Sequence, residues 1–277
     1  MTQVDARLAE QLERIEAEAW SSNQLAMPDS LAVRLGVDVS RVAGAVALRA
    51  AKVDILMLNR VVGLGFQSPL TETLLDHVIA HYRSSAVPRF LISWSPAATP
   101  PAAAAWMTAR GFVERGAIAK LFLHARAKVS TTTGPSVIEI DASRAAEYGV
   151  LVARADDDPP EFASAHAATV GVAGWRHYLA VEDDRAIAGG CMFQRDGIAW
   201  CGFAGTLPEH RRKGAQTALL GRRANDAVRA GAELIACETV AETPTRPSPS
   251  YRNMIRVGFR QAYLRTEMLY DGTGRTE

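Results

Sequence analysis

The stretch HRRKGAQTALL, residues 210–220, places three consecutive cations, Arg211, Arg212 and Lys213, directly before Gly214 and a run of helix-forming residues. A helix N-terminus already presents unpaired N–H groups and a partial positive charge. Crowding side-chain cations at that point is unfavourable unless an anion sits among them. Upstream, GIAWCGFAGT (197–206) reads as an apolar strand, and Pro208 breaks it from the basic turn. In the order strand, basic turn, glycine, helix, the backbone N–H groups of residues 212–217 converge on one small space, a cradle for an anion. The neighbouring cations can add charge-assisted bonds to phosphate oxygens, and Gly214 lets a ligand approach the backbone. The blander alternative is a solvated basic turn that merely opens a helix. Neither G-x-x-x-x-G-K-[ST] nor G-x-G-x-x-G occurs, which disfavours a plain nucleotide-phosphate or dinucleotide binder.

Composition narrows the options further. The chain has 277 residues, enough for two ordinary domains. Its 31 basic and 30 acidic residues nearly cancel, which argues against a nucleic-acid binder driven by bulk charge. No apolar run reaches membrane-spanning length, and the N-terminus lacks a basic-then-apolar signal pattern. It reads instead as an amphipathic helix, with Leu8, Leu12, Ile15 and Trp20 towards one side. The 3 cysteines, Cys191, Cys201 and Cys237, form no C-x-x-C pair and fit reduced thiols in a cytoplasmic protein. No metal site is expected: His77 and His81 share a helical face but have no evident third ligand.

VSTTTGP (129–135) is the candidate linker. It divides the chain into a first domain at 1–128 and a second at 136–277. The second half alternates strands and helices: SVIEI (136–140), helices at 142–155 and 160–170, strands at 177–182 and 186–193 joined by Asp183-Asp184, the strand 197–206, a helix to about 230, AELIACETV (232–240), a short helix ending at Gly258, and the closing strand 261–270. On the helix after Gly214, Leu220, Ala224, Ala227 and Val228 mark a buried face. Arg222, Arg223, Asp226 and Arg229 mark a wet one. The first half echoes this order, with a helix near 71–84, the strand RFLISW (89–94) and a second Gly-Phe pair, Gly111-Phe112, matching Gly258-Phe259. That suggests a diverged duplication; two unrelated α+β segments are the alternative. Leu70 falls where Gly214 sits and no cation cluster precedes it, so the first copy is expected to have no phosphate cradle. Asn59-Arg60 and the Gly63-x-Gly65 turn remain available to shape an acceptor cleft.

TLPEHRRKGAQTALL resembles the acetyl-coenzyme A signature of the GNAT N-acetyltransferases, [Q/R]-x-x-G-x-[G/A], with Arg211 in the first position and Gly214 in the fourth. Gln216, where the family usually has Gly or Ala, is a departure. The resemblance covers residues 136–270. It implies an α+β fold with two GNAT-like domains, each a central mixed, mostly antiparallel sheet flanked by helices, the first copy degenerate. It also implies acetyl-CoA as co-substrate. Arg211, Arg212, Lys213, Gly214, Ala215, Gln216 and Thr217 would hold the pyrophosphate. The strand ending Ala204-Gly205-Thr206 would lie along the pantetheine arm, splayed from the strand 234–240. Gly202 and Gly205 suit a strand that a ligand approaches closely, or a bulge.

Acetyl transfer to an amine requires a proton acceptor, a polarised carbonyl and a stabilised thiolate. Glu238 is the best candidate base, an acid within an apolar strand; a structural hydrogen bond or salt bridge is the competing reading. The family's usual acid, a Tyr four residues before the Gly of Gly-Phe, is Met254 here. Tyr251, nearly one turn earlier, is the substitute candidate. Asn253 is a candidate for bonding pantetheine or for holding the loop. Asp156, Asp157 and Asp158 form an acidic loop that would attract a cationic amine or simply be solvated. Trp175, Tyr178 and Trp200 suit a pocket or the core. The expectation is an acetyl-CoA-dependent N-acetyltransferase acting on a primary amine of a small molecule or protein, without nucleic-acid or membrane partners. A non-catalytic acyl-CoA-binding or interaction protein is the rival. Monomer and homodimer stay open.

Overall fold

The computed structural model describes residues 4–127, 129 and 134–273. Residues 130–133 of the expected linker lie outside the described residues. In chain order the elements are α1 (Ala6–Leu25), α2 (Asp29–Leu35), β1 (Val37–Val42), β2 (Ala45–Ala50), β3 (Arg60–Val62), α3 (Glu72–Arg83), β4 (Arg89–Trp94), α4 (Ala103–Ala109), β5 (Phe112–His124), β6 (Ser136–Ile140), α5 (Ala145–Ala155), α6 (Ala163–Ala167), β7 (Trp175–Glu182), β8 (Arg185–Arg195), β9 (Ile198–Thr206), α7 (Ala215–Arg229), β10 (Leu234–Val240), α8 (Pro249–Val257) and β11 (Arg260–Asp271). The expected helix at 160–170 is shorter than its pattern suggested: a single 3₁₀ turn, Pro160–Phe162, leads into α6.

Two compact units result. The first holds the chain up to Leu25, then Asp29–Ala119, then the chain from Ala262; the second holds Ala26–Pro28 and Lys120–Gln261. These units depart from a division at 129–135. β5 runs out of the first unit into the second, and β11 runs out of the second into the first. The reason is strand pairing: Thr266 to Asp271 of β11 pair antiparallel with β4, so the last strand completes the first unit's sheet.

In the first unit the strand order is β1-β2-β3-β4-β11, antiparallel except for β3 beside β4. Its core stacks Tyr82 on Phe90 at 4.0 Å, with Phe112 and Tyr270 alongside. α1 packs on β1, β2 and β3. It buries Leu12, Ile15 and Trp20, as its pattern predicts, but also Glu13 and Glu16. Arg265 of β11, 1% exposed, meets both carboxylates and Glu267, and Arg60 of β3 bonds Glu16 at 3.0 Å. Tyr263 donates to Glu13, and Ser93 donates to Glu267. Asn59 is buried and bonds the backbone of Ala50 and Val53. Asn59 and Arg60 therefore hold this unit together.

The second unit orders its strands β10-β9-β8-β7-β6, antiparallel except for β9 beside β10. α5 packs on β8 and β9, and α7 packs on β6, β7, β8 and β9. The four residues assigned to the wet face of α7 divide. Arg223 and Asp226 are 1% exposed. Arg223 donates to the carbonyls of Cys191 and Gly202, while Asp226 accepts from Arg222 and Arg229. Both are buried because protein partners, β8 and β9 carbonyls for Arg223 and arginines of α7 itself for Asp226, supply the hydrogen bonds that water would otherwise supply. Trp175, Tyr178 and Trp200 are core residues. His177 lies among them, bonded to Thr169 at 3.1 Å; burial pushes it down to about 4, so it is neutral at pH 7.

Candidate active site

β9 and β10 pair in parallel from Ile198/Leu234 to Cys201/Cys237 and no further, although β9 continues to Thr206 and β10 to Val240. The strands part at that point. A bulge helps to turn β9: its register with β8 shifts between Gly189 and Cys191, and Phe203 adopts φ 40°. The displaced carbonyls are satisfied by buried side chains. Arg223 takes Cys191 and Gly202, and the Tyr148 hydroxyl donates to Phe203 at 3.1 Å. Gly202 has a packing role, because a Cβ there would collide with the Trp200 ring.

Where the strands part, a cavity of about 700 Å³ opens, lined by Ala204, Gly205 and Thr206 of β9, by the start of α7 from Gly214 to Thr217, and by Ser250 and Asn253 of α8. Gly214 occupies the N-cap of α7 with φ 83°, a left-handed conformation that L residues enter at a cost. No side chain caps α7. α3 and α8, by contrast, are capped by Thr71 and Ser248. The N–H groups at the start of α7 are thus left for a ligand, in a wall made by backbone.

The three cations of the opening motif have different partners. Arg211 folds back and donates to the carbonyls of Thr206 at 3.2 Å and Ala155 at 3.1 Å. Lys213 pairs with Glu182 at 3.0 Å and is not in the cavity wall. Its hydrogen bond holds the Glu182 carboxyl below the usual range, and His210 shares that partner. Arg212 lines the cavity and has no hydrogen-bond or ion-pair partner among the described residues. Replacing Glu182 by Gln should free Lys213 and tighten binding of a phosphorylated ligand two- to fivefold at low salt, an advantage that fades as salt screens it. Isothermal titration at two ionic strengths checks this; equal affinity of variant and parent at low salt would exclude restraint by Glu182.

Gln216, the departure from the motif, donates to Ser250 at 3.0 Å and accepts from Asn253 at 2.7 Å. It fastens the first turn of α7 to α8, and Asn253 in turn accepts from Arg256. Thr217 donates to the carbonyl of Gly214 at 2.8 Å. Tyr251 does not line the cavity: the face of α8 turned towards it carries Pro249, Ser250, Asn253 and Arg256. Glu238 does not line it either. Its carboxylate accepts from Trp200 Nε1 at 2.9 Å and pairs with the fully buried Lys120 at 3.2 Å. Of the residues expected at a site, the structure gathers Ala204, Gly205, Thr206, Arg211, Arg212, Gly214, Ala215, Gln216, Thr217 and Asn253 around one cavity and leaves Lys213, Glu238 and Tyr251 outside it. Sequence reasoning left out Gly189, Ser250 and Arg256, which reach the wall only through packing.

The corresponding turn of the first unit is closed. Leu70, 1% exposed, donates its N–H to Thr99, and Thr99 donates to the carbonyl of Gly65. Among the described residues no group of side chains is arranged to hold a metal, and no helix is long and apolar enough to cross a membrane.

This architecture has counterparts among solved structures. A GCN5-related N-acetyltransferase from Kribbella flavida superposes with a TM-score of 0.62 at 17% identity, covering 92% of this chain and 96% of that one. A GCN5-related N-acetyltransferase from Sphaerobacter thermophilus gives 0.60 at 14% identity, over 84% and 75%. A tandem GNAT protein from the clavulanic acid biosynthesis pathway gives 0.55 at 19% identity, over 74% and 70%. By sequence no family model and no curated protein matches. The chain has the GNAT fold in a two-domain form.

Proposed function

We propose that the second unit binds acetyl-CoA and transfers its acetyl group directly to a primary amine of a small molecule or protein. The observation that carries this reading is the parting of β9 from β10 onto a cavity that ends at the uncapped, Gly214-initiated start of α7. The wall suits a diphosphate: backbone N–H groups of residues 212–217 and the unpaired Arg212 guanidinium supply donors. Backbone groups of Ala204 and Gly205, beyond the point where β9 leaves β10, would hold the extended arm and present the thioester, which supplies an activated acyl carbon. Gln216 and Asn253 keep α8 against the cradle. Holding amine and thioester together contributes much of the rate.

Glu238 acts on this reading by positioning Trp200 beside the parted strands rather than by moving a proton. Replacing it by Gln removes the carboxylate that faces the buried Lys120 and should lower stability by about 1–3 kcal/mol. Coenzyme affinity should be unchanged. Thermal unfolding and calorimetric titration of the variant check the two halves of that statement.

The placement of Tyr251 and Glu238 outside the cavity favours a second reading, a non-catalytic acyl-CoA-binding protein. Two measurements decide. Acetyl-CoA should raise the melting temperature with ligand concentration, and release of free thiol over a panel of primary amines separates enzyme from binder. No thermal shift at millimolar acetyl-CoA would sink both readings.

A further inference from the structure

The guanidinium of Arg223 is buried, and among the described residues no carboxylate pairs with it. It donates instead to three carbonyls, those of Leu219 at 3.2 Å, Cys191 at 2.9 Å and Gly202 at 3.3 Å. Carbonyls at a bulge need donors but no charge; the Tyr148 hydroxyl serves Phe203 without one. A buried cation without a counter-ion is costly. The groups around it do not offset it. Cys191, Cys201, Cys237 and Tyr148 are close enough to feel its charge, and burial raises all four, Cys191 up to about 12, so they are neutral near pH 7. Asp226, nearly one turn further along α7, is taken by Arg222 and Arg229, and Glu238 is taken by Lys120.

The position of this cation indicates what balances it. β9 and β10 last pair at Cys201 and Cys237, and Gly202, whose carbonyl Arg223 holds, is the first residue of β9 beyond that point. Ala204 and Leu219 line the cavity. The Leu219 carbonyl accepts from Arg223, and Gly190 has no side chain to come between the guanidinium and Ala204. A Cβ at Gly190 would lie 3.1 Å from Arg223 Cζ and 3.0 Å from Ala204 Cβ. At 1.5 Å per residue Arg223 lies about 13 Å past Gly214 along α7. A diphosphate at the uncapped helix start is too far away to be its partner. We infer, resting on the coenzyme reading above, that Arg223 acts from behind the cavity wall, holding β9 where it leaves β10 and stabilising by its charge the thiolate that the coenzyme releases there.

In the transfer, the lone pair of a neutral amine nitrogen forms the C–N bond, the C–S bond breaks, and the sulfur keeps the electron pair as thiolate. The surplus proton on nitrogen passes to water. The thiolate leaves without being protonated in the site, so no phenol is required at the cavity, in keeping with the position of Tyr251 outside it. Arg223 touches none of the reacting atoms and is a positioning residue; its contribution is a fixed charge in a desolvated layer, where charge acts strongly.

Coenzyme A and desulfo-coenzyme A, which has hydrogen in place of the thiol, test this without an acceptor. Calorimetric titration of the full chain at about pH 6 and about pH 10 brackets an ordinary thiol. Both ligands carry the same phosphates, so the ratio of their affinities cancels the titration of the phosphates and of His210 and Asp156 in the wall. In the parent the ratio should rise about tenfold in favour of coenzyme A at the higher pH, about 1.4 kcal/mol, because a thiolate near a cation binds more tightly than the thiol. In Arg223→Met the ratio should stay constant with pH; in Arg223→Lys, which keeps the charge, most of the rise should remain. If Arg223→Met does not fold, the parent and Arg223→Lys carry the test. A constant ratio in the parent, a rise that persists in Arg223→Met, or loss of the rise in an Arg223→Lys protein that still binds desulfo-coenzyme A overturns the inference. Failure of both ligands to bind the parent removes the coenzyme reading itself.

Discussion

Gly214→Glu should lose coenzyme binding by at least about 100-fold, about 2.7 kcal/mol. Two effects add. At φ 83° a side-chain-bearing residue costs about 1–2 kcal/mol relative to glycine. The carboxylate would also stand at the cradle beside Arg212 and compete with the diphosphate for the same N–H groups. Gly214→Ala separates the two effects, because it keeps the strain and removes the charge; it should lose only about tenfold. Titration of acetyl-CoA into the three proteins gives the comparison. If Gly214→Glu bound as tightly as the parent, the phosphates would have to sit elsewhere.

Arg265→Met should have the largest effect on stability. The guanidinium is 1% exposed and answers three carboxylates, Glu13, Glu16 and Glu267. Methionine keeps much of the volume but leaves buried negative charge without that partner, which costs about 3–5 kcal/mol. The melting temperature should fall by roughly 10 °C or more. The sign of the pH dependence follows from linkage. Without the cation, the folded variant gains by binding protons that the unfolded chain does not hold. Its deficit is therefore greatest near neutrality and shrinks as pH falls. Adding Glu13→Gln and Glu16→Gln to Arg265→Met should restore part of the loss. A variant within about 1 kcal/mol of the parent at pH 7 would show that the network contributes little.

The glycine-led turn was legible because its cause is local. A left-handed glycine, an uncapped helix start and the strand before it all fall within residues 197–217. The fold class followed from the order of elements, and β4 spans the same residues, 89–94, as its pattern. The partners of the three cations were not legible. Arg211 meets Ala155, and Lys213 meets Glu182. Both partners come from elements earlier in the chain, and no spacing rule links them. Glu238 was correctly singled out as an unusual acid, but the cation that occupies it, Lys120, lies 118 residues away.

By itself the sequence determined where a helix starts on a glycine, that amides without a side-chain cap gather there, and that the equivalent turn in the first half has Leu70 in place of the glycine. These are properties of backbone conformation and neighbouring residues. Only the tertiary structure decided which charges are buried, which strand completes which sheet and which side chains remain free in the cavity. Burial of Glu13 depends on Arg265, 252 residues later, and the closing strand answers to β4 rather than to the segment that precedes it. Electrostatic pairing and strand pairing are set by distance in space, and proximity along the chain carries no record of them.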